Sequence, residues 1–81
     1  MSGEQRQKMV TRIKKSAEEA KVACRNIRRD GNKAFDQAEK AKEMTEDERD
    51  QGKEEVQNLL KRFEEKITEL ADKKAKEVME Q

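Results

Sequence analysis

Along the first half of the chain, Met9, Ile13, Ala17, Ala20, Cys24, Ile27, Gly31, Ala34 and Ala38 follow one another in steps of three or four residues. A stripe with that spacing belongs to one face of one long helix, with Val22 and Phe35 beside it. A second stripe, Gly52, Val56, Leu59, Phe63, Ile67, Leu70, Lys74 and Val78, is widened to an apolar face by Leu60 and Ala71. No proline interrupts either one. The spacing predicts an all-α chain of two helices.

Their ends are marked by polar residues. Ser2 followed by Gln5 fits a capping box, and Lys40 and Lys42 suit the negative end of the first helix dipole. Thr45 with Glu48 forms a second capping box, and Glu46 and Asp47 favour the positive end of a new helix. The expected elements are a helix over about residues 5–41, a turn over about 42–44 and a helix over about 46–80. So short a turn folds the helices back as a long antiparallel hairpin, a rod about 50 Å long at about 1.5 Å per residue.

Only 31% of the 81 residues are apolar and 2% aromatic, which limits the core that one copy can bury. The charged fraction is 48%, yet 20 basic residues against 19 acidic ones leave a net charge of +1, a balance that suits solvated helices better than disorder. A hairpin covers each apolar face on one side only. Ile13, Ile27, Phe35, Leu60 and Phe63 are therefore expected to meet a third element, either a second copy or a segment absent from the chain. With a second copy as that element, the hairpin reads as a homodimer that self-associates through its exposed seams into a four-helix bundle. Gly31 on the stripe reads as a point of close helix approach or as a kink.

Several functions are disfavoured. The chain has no His and one cysteine, Cys24, so no internal disulfide and no plausible zinc ligand set is available. Without a nucleophile beside a base or a glycine-rich phosphate loop, no catalytic residue is assigned, and no cofactor or metal is expected. Cys24 reads as a small buried apolar side chain, and the acids of "MTEDERD" have a sufficient role at a helix start. No apolar run approaches the roughly 20 residues needed to span a bilayer, and the first residues lack a signal-peptide core, so a cytoplasmic protein with no membrane partner is expected. Membrane-surface binding fits poorly with polar faces as acidic as they are basic.

One cluster breaks the balance. Arg25, Arg28 and Arg29 have no acid at the three- and four-residue spacings where a helix pairs charges, whereas Glu18 can meet Lys14, Lys15 and Lys21, and Glu64 lies near Lys61. Lys21 and Asn32 extend the same side. Like charges so placed repel by a few tenths of a kcal/mol per pair, and phosphate is a natural counter-ion because a guanidinium binds its oxygens as a fork. Acids from a neighbouring helix are the alternative.

The stretch "AEEAKVACRNIRRDGNKAF", followed by "EMTEDE", "VQNLLKRF" and "KKAKEVME" in that order, strongly resembles the C-terminal part of bacterial ribosome recycling factors over nearly the whole chain. The run Arg25 to Asp30 is its most specific part. The resemblance implies a three-helix bundle that lies on the large ribosomal subunit, and a smaller β-rich domain, together acting with elongation factor G to split the post-termination ribosome. It implies that Arg25, Arg28 and Arg29 contact large-subunit ribosomal RNA. Nothing in the chain matches the family's first helix, with its "RTGRA"-like motif, or its second domain. A fragment of a larger two-domain protein is expected, with that first helix as the absent third element. The competing reading is a structural coiled-coil interaction module that binds no RNA.

Overall fold

The computed structural model describes residues 2–80. Two helices, α1 (Gly3–Lys40) and α2 (Glu46–Glu80), lie antiparallel in a rod with principal extents of 60 × 15 × 9 Å. The all-α hairpin expected from the spacing is therefore observed, and no strand occurs among the described residues.

The ends follow from capping chemistry. Ser2 sits in extended backbone geometry and its side chain accepts a hydrogen bond from the Gln5 amide at 3.2 Å, so α1 starts at Gly3 rather than near residue 5. At the head of α2 the box is reciprocal: the Glu48 amide donates to Thr45 Oγ1 at 3.1 Å and the Thr45 amide donates to Glu48 Oε1 at 3.0 Å. The end of α1 is less obvious. Lys42 has φ of 60°, its amide donates to the Glu39 carbonyl at 2.9 Å, and the Glu43 amide donates to the Ala38 carbonyl at 2.9 Å. This is the paired-carbonyl C-terminal motif that glycine ordinarily supplies, built here on a lysine.

Val10, Ile13, Ala17, Ala20, Cys24, Gly31 and Phe35 of α1 turn toward Val56, Leu60, Ile67, Ala71, Ala75 and Val78 of α2, and among the described residues only Leu60 is buried. The seam thus differs from the stripes read in the sequence. Met9, Ile27 and Ala34, with Leu59, Phe63, Leu70 and Lys74, are exposed. Each helix carries an apolar band wider than one neighbour can cover, so the periodicity marks the middle of the band while the contact runs along one edge.

Gly52, not Gly31, is the glycine that close packing requires. A Cβ on Gly52 would lie 2.6 Å from Phe35 Cε1, whereas one on Gly31 would meet Val56 Cγ1 at an ordinary 3.9 Å. The helix also runs unbroken through Gly31.

Polar ties cross between the helices along the rod. Arg6 Nη1 donates to the Met79 carbonyl at 3.2 Å, Lys53 Nζ lies 2.6 Å from Asp36 Oδ1, and Arg49 Nη1 lies 3.6 Å from Glu39 Oε2. The Lys53 hydrogen bond holds the Asp36 carboxyl below its ordinary range.

Two substitutions test this account of the packing and the turn. Gly52→Ala is expected to destabilise the hairpin by about 1 to 3 kcal/mol because the Phe35 ring must move, while Gly31→Ala is expected to stabilise it by about 0.5 to 1 kcal/mol through helix propensity. Urea unfolding followed by circular dichroism measures both, and equal effects at the two sites would contradict the packing described. In the turn, Lys42→Gly is expected to raise the thermal midpoint by relieving a left-handed backbone strain of about 1 kcal/mol. A lowered midpoint would mean that the lysine side chain itself stabilises the turn.

Candidate RNA-binding face

Lys21, Arg25, Arg28 and Asn32 are spaced four, three and four residues apart on the continuous helix α1, and Arg29 follows Arg25 by four. Steps of that size place all five on one flank of the rod. Lys21 and Asn32 are half-buried at its inner edge, and the three arginines are exposed. The five residues singled out in the sequence are therefore brought together.

Their electrostatics differ in a way that the sequence did not show. Arg25 lies between two carboxylates: its Nη1 donates to Glu18 Oε1 at 3.3 Å, and its Nε is 3.5 Å from Glu64 Oε1 on α2. Arg29 Nε is 3.5 Å from Asp30 Oδ1, with both side chains 73% exposed, so that pair is a solvated and weak one. Arg28 makes no ion pair among the described residues.

Glu18 is two turns from Arg25, outside the spacings usually searched for pairs. Glu64 is distant in sequence and becomes a neighbour only through the antiparallel register. A helix pairing that aligns Gly31 with Val56 carries Arg25 to Glu64 as well, so the second contact could have been sought once the hairpin was assumed.

Arg25 lies in an open groove along one side of the seam, with Lys21, Lys61 and Thr68 and with four acids, Glu64, Glu65, Glu69 and Asp72. The groove on the other side is different in character, being lined by Ile13, Ala17, Ile67 and Leu70 between Arg12 and Lys74. Leu59 and Phe63 continue that apolar face, edged by Arg62 and Lys66. The rod thus has one flank of mixed charge that carries the arginines and one suited to apolar packing. No group of His, Cys, Asp or Glu among the described residues is arranged to hold a metal ion, and no helix is long and apolar enough to cross a membrane.

The family model for ribosome recycling factor matches residues 1–79. The ribosome-recycling factor of Bacillus thuringiensis (strain Al Hakam) is 45% identical over 80 residues, covering 99% of this chain and 43% of that protein. Those of Bacillus cytotoxicus and Bacillus anthracis (strain CDC 684 / NRRL 3495) are 44% and 45% identical over the same length. The chain spans less than half the length of these relatives. No solved structure matches it significantly. With nearly every residue matched by the family and two chemically distinct flanks on one helical hairpin, the chain belongs to the ribosome recycling factor family.

Proposed function

We propose that this hairpin is a ribosome-binding element that presents Arg25, Arg28, Arg29, Lys21 and Asn32 to phosphates of large-subunit ribosomal RNA. In the intact protein it would act in the cytoplasm with elongation factor G to disassemble the post-termination ribosome. Its contribution is binding and positioning, without catalysis of a covalent step. The observation that carries the reading is Arg28, a guanidinium exposed on a rigid helix, flanked by further cations and paired with no acid among the described residues. Exposed guanidinium groups at one-turn spacing match the separation of successive phosphates closely enough for several to be engaged at once, and each releases counter-ions on binding.

The test is binding to isolated large ribosomal subunits at two salt concentrations. The unsubstituted chain is expected to bind with salt-sensitive affinity. Changing Arg25, Arg28 and Arg29 together to Gln is expected to remove most of that binding and to lower the salt slope by about 0.7 to 0.9 for each lost phosphate contact. Equal binding by the two chains would overturn the assignment and favour a coiled-coil module without RNA binding.

The apolar flank supports a second part of the reading, that this 81-residue chain pairs with a copy of itself. Ile27, Phe63 and Leu70 are each more than half exposed, at 56%, 53% and 55%, in a chain with a single buried residue among those described. A second hairpin applied to this flank would make a four-helix bundle and bury the same residues on both copies. Light scattering at high micromolar concentration is expected to give the mass of two chains, and Phe63→Glu with Leu70→Glu is expected to give the mass of one. A single-chain mass for the unsubstituted protein would count against self-association without touching the arginine flank.

A further inference from the structure

The two carboxylates beside Arg25 are placed so differently that they cannot do the same thing. Glu64 reaches the guanidinium from α2, its side chain is 28% exposed, and its Oε1 is buried without a hydrogen bond 3.5 Å from Arg25 Nε. Glu18 reaches Nη1 at 3.3 Å from the outer surface of α1 and is 61% exposed. A carboxylate oxygen shielded from water depends on its cation, because breaking the contact leaves an uncompensated charge in a poorly solvated position. A solvated carboxylate gives up its partner at little cost.

We propose that Glu64 is a positioning residue for Arg25, and that Glu18 is the exposed counter-ion that an arriving phosphate displaces. This rests on the reading of the arginine flank as a ribosomal RNA contact. Glu64 takes the Nε side of the guanidinium, which leaves its two terminal nitrogens to Glu18 or to an incoming anion. Those nitrogens form the edge that can meet two phosphate oxygens at once. With the Nε side occupied, less rotational freedom is lost when phosphate binds. Glu18 sits on the terminal nitrogen that phosphate needs and competes for it.

The proposal requires effects of opposite sign from two substitutions that change net charge identically. On Coulomb attraction alone, removing either acid from an anion-binding flank strengthens binding. With Glu64 as a positioning group, Glu64→Gln instead weakens it.

The experiment measures the affinity of the chain for isolated large ribosomal subunits at one fixed salt concentration, with helix content and thermal midpoint recorded for each variant. Glu64→Gln is expected to weaken binding about 3- to 10-fold while the chain stays helical. Glu18→Gln is expected to strengthen it about 2-fold. In an Arg25→Gln background, Glu64→Gln is expected to cause no further loss, because the group it positions is gone. Unchanged or stronger binding by Glu64→Gln overturns the positioning role, as does a loss that persists without Arg25. Weaker binding by Glu18→Gln overturns its role as competitor. Arg28→Gln separates the two levels of the argument, since Arg28 touches neither acid. If it weakens binding and Glu64→Gln does not, the positioning role alone fails; if it has no effect, the RNA-contact reading fails and the positioning role with it.

Discussion

The single helix–helix seam is the constraint from which the other properties of this hairpin follow. Two helices can meet along one line only, and here the line is made of small or medium side chains: Ala17, Ala20 and Cys24 on α1, and Ala71 and Val56 on α2, closing most tightly where the Phe35 ring lies against Gly52. Such a seam is apolar along its whole length and repeats every few residues, so by itself it does not strongly oppose a slip of one turn. The polar ties oppose it. Arg6 with the Met79 carbonyl, Arg25 with Glu64, Asp36 with Lys53 and Glu39 with Arg49 all join residues nearly equidistant from the turn. A slip would break all four together. Individually weak contacts therefore fix a register that the apolar surface leaves loosely specified.

Because the seam uses only one edge of each apolar band, the remainder of both bands emerges on the same flank. Leu70 stands beside Ile13 and Ile67, and Leu59 beside Phe63. The opposite flank receives the arginines, since residues four and seven positions beyond Lys21 come round to that side of the same helix. One geometric choice, the edge along which the helices touch, separates an apolar surface from a charged one that carries the arginines. It also explains how a chain with a net charge of +1 can gather three arginines on one flank, with Glu18, Glu64 and Asp30 beside them.

Most of the architecture was legible because it rests on local rules. The Thr45 and Glu48 box places the start of α2, and Ser2 places that of α1, from residue types alone. The turn was legible in position but not in mechanism: Lys42 occupies a left-handed conformation that sequence rules assign to glycine or asparagine, so nothing in its identity announced the motif. The seam was only partly legible. Periodicity finds the direction of greatest hydrophobicity around a helix, and that direction coincides with the contact only when a single partner covers the whole band. Gly31 and Gly52 show the same limit, since both sit on apolar stripes and only the packing of Phe35 distinguishes them. The arginine cluster was legible as a group, whereas its internal inequality was not, because Glu64 becomes a neighbour of Arg25 only after the chain has folded back.

That inequality changes how the cluster must be dissected. Arg25 is held by a half-buried acid on α2, so under the proposed RNA contact its removal would subtract an anion contact and also strand Glu64 beside the seam. A loss of binding on its replacement therefore mixes recognition with a disturbance of helix pairing. Arg28 has no such second duty, and Arg29 only a solvated pair with its neighbour Asp30. Recognition is cleanest to measure at Arg28, whose loss leaves the seam, the register and the charge of α2 as they were. The fold thus uses one arginine of the three to join its two helices and leaves the others on the surface, where their charges are compensated mainly by solvent and mobile ions, the ions that the proposed phosphate contact would release.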